Sequence, residues 1–143
     1  MTEKAKVAAC IICDIARREL GGKDILIGVY SNYIEVPSFP VALPNFAVWV
    51  ELQTEETNID NLEISILDPD NKVIINAKGK LEISSKAHSV GIPMQFANMT
   101  FTKSGKYTIK IGLDGPMKKT KEFFVHTAEA KLKKLSKQKT ASK

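Results

Sequence analysis

The sequence predicts an all-β chain: a mainly antiparallel β-sandwich of about eight or nine strands, followed by a short basic C-terminal tail. Three observations predict it. Apolar residues alternate with polar ones in segment after segment, which puts one face of each strand on a core. Clusters of Gly, Pro, Asn and Asp separate these segments at short intervals, as sheets built from hairpins require. Helical spacing is nearly absent until the tail.

Lys6 to Asp14 is an almost continuous apolar run of strand length, and Glu19 to Asp24 is a turn around Gly21-Gly22. A hairpin with a strand over Ile25 to Val36 follows. Pro37, Pro40 and Pro44 then predict a crossing loop, because proline supplies no ladder donor and restricts its predecessor. Phe46, Val48, Val50 and Leu52 alternate with Ala47, Trp49, Glu51 and Gln53, the clearest strand in the chain. Beyond a polar loop at Glu55 to Asn61, Leu62, Ile64 and Ile66 lead through Asp68-Pro69-Asp70-Asn71 to Val73 to Ala77 as a second hairpin. Leu81 and Ile83 suggest a short strand. Val90, Ile92, Met94 and Phe96 suggest a longer one, with the apolar parity switching to Met99 and Phe101, so a bulge or bend is expected near Asn98. Thr102 to Gly105 turns into Tyr107, Ile109, Ile111 and Leu113, and Asp114-Gly115 predicts a tight turn before Lys118 to His126.

The length of 143 residues suits one domain, read as a β-sandwich over 1–126 with a Lys-rich tail over 127–143. A composition of 43% apolar and 26% charged residues excludes a wholly disordered, collagenous or disulfide-dense chain. Apolar runs fall short of the roughly 20 residues that span a bilayer as a helix. The formal charge of +5 is unevenly placed: residues 1–126 hold 15 basic and 15 acidic side chains, and residues 127–143 hold six lysines and one glutamate. Ala128, Leu132 and Leu135 have helical spacing in that tail, yet an isolated helix below about 12–15 residues is marginal in water. The polar start at Met1 to Lys6 lacks the pattern of a secretory signal, and two cysteines are few for a secreted scaffold. A cytoplasmic chain with reduced thiols is the expectation.

The segments Cys13-Asp14, Leu20-Gly21-Gly22-Lys23, Leu26-Ile27-Gly28, Pro37 to Pro40, Val48 to Leu52, Phe101 with Gly105-Lys106-Tyr107, and Asp114-Gly115 together resemble a widespread family of small bacterial and prophage proteins of unknown function, over roughly residues 6 to 125. The resemblance implies a compact β-sandwich and transfers no catalytic residue. The Lys-rich tail lies outside it.

Candidate chemistry is sparse. Cys10 and Cys13 have the spacing of half a zinc site, but no other cysteine exists, and structural zinc takes four ligands. Positions three apart on a strand also point to opposite faces. His88 and His126 accompany no evident nucleophile, and the Ser136–Lys139 spacing falls in the tail, where nothing desolvates the lysine. Asp68, Asp70 and Asn71 match turn chemistry better than a calcium loop. Gly21-Gly22-Lys23 lacks the longer glycine pattern of a phosphate loop. Asn98-Met99-Thr100 has the form of a glycosylation sequon without meaning in a cytosolic chain.

Two features point to binding instead. Trp49 lies on the face opposite Phe46, Val48, Val50 and Leu52, where it either is covered by the Pro37 to Pro44 loop or the tail, or anchors a partner. Lys131, Lys133, Lys134, Lys137 and Lys139 form the densest charge run and could attract phosphates, without an aromatic or arginine for base readout. The expected function is therefore a non-enzymatic protein-binding or structural accessory module, to which the family resemblance adds a phage or prophage origin. The alternative is an electrostatic binder of nucleic acid or another anionic surface through the tail. The partner is another protein or a second copy, because Ile25 to Val36 carries few charges to blunt a sheet edge. No cofactor, metal or small-molecule substrate is indicated.

Overall fold

The computed structural model describes residues 5–55, 58–83 and 89–128. Among the described residues the chain is all-β, with nine strands: β1 (Ala5–Arg18), β2 (Asp24–Tyr30), β3 (Tyr33–Val36), β4 (Val41–Thr54), β5 (Asn58–Leu67), β6 (Val73–Glu82), β7 (Ser89–Phe101), β8 (Gly105–Leu113) and β9 (Lys118–Thr127). They form a four-stranded sheet, β2-β1-β4-β7, and a five-stranded sheet, β3-β9-β8-β5-β6, with a curled, half-barrel sheet among them. The pairings are antiparallel except for β3 against β9. The helical spacing of the tail and the whole Lys-rich run lie outside the described residues, as does His88.

One core joins both sheets. Ile12 of β1, Phe46, Val48, Val50 and Leu52 of β4, and Met99 and Phe101 of β7 meet Ile34 and Val36 of β3, Ile64 and Ile66 of β5, Tyr107, Ile109 and Ile111 of β8, and Phe123 and Val125 of β9. Phe101 stands edge-on to Phe46, Tyr107 and Phe123, with ring centroids 5.9, 5.0 and 6.2 Å apart. Edge-to-face pairs of this kind add to the burial of area.

Several boundaries differ from the sequence reading. The first strand runs on to Arg18, past its apolar run. Ile25 to Val36 is two strands, parted at Ser31-Asn32, and β3 crosses to the other sheet to pair in parallel with β9. Alternation survives such a crossing, so the pattern could not show it. The proline loop is shorter than expected: β4 already begins at Val41 and contains Pro44, and the peptide between Phe39 and Pro40 is cis. Pro44 is tolerated because the β1–β4 pairing ends at Cys13 with Ala47, leaving no β1 partner beside it. β5 starts at Asn58, inside the expected polar loop. β6 is continuous from Val73 to Glu82, so Leu81 belongs to the strand of Val73. Asp114 and Gly115 form part of a longer loop to Met117, in which the Asp114 carboxylate accepts the backbone N–H groups of Asn61 (2.7 Å) and Asp60 (3.2 Å).

The irregularity expected near Asn98 is present: Asn98 has φ 54°. The β4–β7 register nonetheless runs unshifted from Val41–Phe101 to Gln53–Ser89. Both strands change parity together around Pro44 and Asn98, from Val41 and Leu43 to Phe46 and Val48 on one strand and from Met99 and Phe101 to Met94 and Phe96 on the other. A kink shared by both partners keeps the ladder in step.

Candidate functional site

A second interruption shapes the outer face of the four-stranded sheet. Gly28 has φ 69°, and a Cβ there would lie 2.8 Å from the Asp14 Cγ. Asp14 stands beside it on β1, and its carboxylate accepts the Tyr30 hydroxyl at 2.6 Å. Burial, followed by that hydrogen bond and the Asp14 charge, pushes the Tyr30 hydroxyl up to about 12.

Beyond Asp14, the β1–β2 hairpin packs on the face of β4 and β7 that points away from the main core. Gln95 of β7 takes the place of missing ladder bonds: its Oε1 accepts the Ala16 N–H at 3.1 Å, and its Nε2 donates to Asp14 O at 2.9 Å and Phe46 O at 3.3 Å. Further along, Arg18 bonds the Gly91 carbonyl and pairs with Asp24 at 3.1 Å. Trp49 donates its indole N–H to the Asp24 carboxylate at 2.8 Å. Gly91 leaves room for the indole, since a Cβ there would lie 2.9 Å from the ring.

Trp49 is thus half-buried, packed with Leu26 against Cys13, Ala16 and Ala47. Among the described residues the cover is the chain's own β1–β2 hairpin rather than the proline loop; the tail lies outside them. Sequence reasoning missed Arg18, Asp24 and Gln95 as its neighbours, because their approach depends on the fold-back at Asp14.

Cys13 is fully buried under this hairpin, and Cys10 packs against the main core. The two thiols are free and lie on opposite faces. Burial raises the Cys10 thiol to about 11 against the lowering charge of Lys121, and burial with the Asp14 charge raises Cys13. Among the described residues no group of three or more His, Cys, Asp or Glu side chains could hold a metal. Asp68 serves its turn: its carboxylate accepts the N–H groups of Asp70 (2.8 Å) and Lys72 (2.9 Å), and Asn71 adopts φ 64°. Lys131, Lys133, Lys134, Lys137 and Lys139 lie outside the described residues. No helix of the described residues is long and apolar enough to cross a membrane.

What stands out on the surface is the hairpin that covers Trp49. Leu20, at its tip, is 98% exposed, and β2 adds Val29 at 58% and Ile27 at 47%. The four sheet edges are β2, β7, β3 and β6. β7 is blunted by Pro93 and by the bend at Asn98, β3 is only four residues long, and β6 carries Lys78 and Lys80. Prolines, charges, bends and shortness are the usual guards against stray strand pairing. β2 has one bend, at Gly28, and no charge after Asp24. An apolar residue at a Gly-Gly turn apex was the sequence signal for Leu20.

A family of unknown function matches residues 8–126. The chain belongs to that family, DUF6941. The DUF6941 match runs from within β1 to within β9 and so takes in both sheets. No curated protein matches the chain. Among solved structures, a novel β-glucosidase, EmGH1, from Erythrobacter marinus is similar at 11% identity and TM-score 0.46, over 85% of this chain and 15% of that one. The chain thus spans a small fraction of the glucosidase, and the likeness carries nothing about activity.

Proposed function

We propose that this chain is a non-enzymatic β-sandwich that works as a protein-binding or structural accessory module, with β2 and the Leu20 tip as its docking edge. The observation that carries the reading is the contrast among the four edges: three are guarded, and the fourth presents a strand with no charge after Asp24 and with Ile27 and Val29 exposed. An extended segment of another protein adds to such an edge through main-chain hydrogen bonds, while exposed apolar side chains supply contact area. Trp49 then acts from beneath, by holding the hairpin to the sheet through Asp24. A phage or prophage setting belongs to the same reading through the sequence resemblance alone.

Proteins captured from a source lysate by the wild-type chain, by Ile27→Lys and by a Lys78→Gln control test the proposal. A protein kept by the control, lost by Ile27→Lys, and slowing amide exchange in β2 when purified and added back supports it. Capture that is indifferent to Ile27→Lys and to Leu20→Asp overturns it.

A further inference from the structure

The free edge of β2 has a pattern that matches itself. From Asp24 to the bend at Gly28 it reads Asp24-Ile25-Leu26-Ile27. Leu26 packs with Trp49 on the small core of Cys13, Ala16 and Ala47, so Ile25 and Ile27 point to the opposite face, where Ile15 stands in register with Ile27. Two copies of this strand can pair antiparallel about a two-fold axis only if the axis passes through one residue, because facing side chains share a side of the sheet and alternate along it. Centred on Leu26, the pairing sets Ile25 of each chain opposite the partner's Ile27, and Leu26 opposite its own copy. Centred on Ile25 it would set Ile27 against the partner's Lys23, and centred on Ile27 it would set Leu26 against the bend at Gly28.

The charges select the same register. Lys23, exposed at the start of the strand, has no acidic partner among the described residues, and Asp14, whose carboxyl lies over the side-chain-free Gly28, has no basic one. With Leu26 on the axis, Lys23 faces the partner's Val29, next to the partner's Gly28 and so beside the partner's Asp14. The aliphatic stem of Lys23 then covers Val29, which is 58% exposed in the single chain, while its ammonium reaches the carboxylate. Symmetry supplies two such pairs.

We infer that the occupant of the β2 edge is a second copy of this chain, joined strand to strand with Leu26 on the two-fold axis and with Lys23 of each copy paired to Asp14 of the other. The inference rests on β2 being the docking edge, and it names a partner whose apolar and charged residues both match that edge. The joined sheet runs β7-β4-β1-β2-β2-β1-β4-β7. Contact between the two Leu26 side chains makes the small cores under the two hairpins continuous. One pair of short strands is an interface at the small end of the range, so the dimer forms reversibly and depends on concentration.

Sedimentation equilibrium of the full chain between about 5 and 500 µM, the range in which a small interface assembles, tests the inference. A monomer–dimer equilibrium is expected, abolished by Ile27→Lys and weakened about fivefold or more by Lys23→Glu, which turns two exposed ion pairs into two repulsions. Val73→Lys, at the exposed apolar residue of β6, should change nothing. Asp14→Lys should weaken association in the same way, and a mixture of Lys23→Glu with Asp14→Lys should associate again, since each interface then pairs opposite charges. Circular dichroism reports folding of each variant; should Asp14→Lys unfold, Ile27→Lys and Lys23→Glu decide alone. A chain that stays monomeric at the highest concentration overturns the second copy, while the docking edge itself is judged by the effect of Ile27→Lys on lysate capture. A dimer indifferent to Ile27→Lys, or one lost with Ile27→Lys but indifferent to Lys23→Glu, also overturns the inference.

Discussion

The Trp49 indole donates to the Asp24 carboxylate across the width of β1, tying β4 to the start of β2 at 2.8 Å. Asp24 is shared with Arg18, which reaches on to Gly91 of β7. Three side chains and one carbonyl therefore fasten the hairpin end over Cys13, Ala16 and Ala47.

Asp24→Asn should loosen that fastening by about 1.5–3 kcal/mol in chemical denaturation near neutral pH, the scale of hydrogen bonds to a charged group, and shift Trp49 emission to the red. Burial raises the Asp24 carboxyl, but the hydrogen bonds from Arg18 and Trp49 and the Arg18 charge outweigh it, leaving the group below the ordinary carboxylate value. A depressed carboxylate stabilises the fold fully above its unfolded pKa, about 3.9, and loses this as pH falls through the folded value. The gap between wild type and Asp24→Asn should hold from pH 7 to 5 and close below about pH 4. A gap independent of pH would show that the carboxylate charge plays no part.

Gln95 substitutes one side chain for the ladder bonds lost where β1 leaves β4. Gln95→Leu keeps the bulk and leaves the Ala16 N–H and the Asp14 and Phe46 carbonyls without this partner. The expected cost is about 1–3 kcal/mol by urea unfolding, with faster amide exchange at Ala16. Unchanged exchange there would mean that water replaces the amide without loss.

The sequence showed most of the framework because alternation and turn residues are local signals. Phe46 to Gln53, the Asp68 to Lys72 turn and the break at Asn98 could all be read from neighbours in the chain. What could not be read is non-local: the sheet change between Tyr30 and Tyr33, and the fold-back at Asp14 that brings Gln95 to Ala16, 79 positions away. Trp49 was picked out from its face on β4, but the cover over it comes from a hairpin whose own pattern says nothing of where it lies. The sparse charge of Ile25 to Val36 marks an open edge in the sequence itself, but that Ile27, Val29 and the tip residue Leu20 face outward follows only from the edge position of β2 in the folded sheet.

Gly28 is required twice over, by φ 69° and by the Asp14 side chain that a Cβ would strike. Gly28→Ala should destabilise the domain by more than about 1 kcal/mol. Adding Asp14→Ala removes the collision and leaves the backbone strain, so the double variant should recover part of the loss and no more. Full recovery would show that the left-handed backbone costs nothing, and none that the collision is easily relieved. Thermal midpoints of the four proteins complete the cycle.

The thiols offer the most direct check on how firmly the hairpin is held. Thiolate is the reactive form, and both thiols titrate above their ordinary value, Cys10 at about 11. Cys13 is also shut off by the hairpin, with no exposed surface. At pH 8 neither should react with a disulfide reagent such as DTNB on the timescale on which an exposed cysteine does, and unfolding in denaturant should release both. Asp24→Asn and Gln95→Leu should speed labelling of Cys13 while leaving Cys10 slow, because only Cys13 lies beneath the hairpin. Were the two to accelerate together, the protecting motion would be opening of the whole core, and the fastening at Asp24, Trp49 and Gln95 would have no local role.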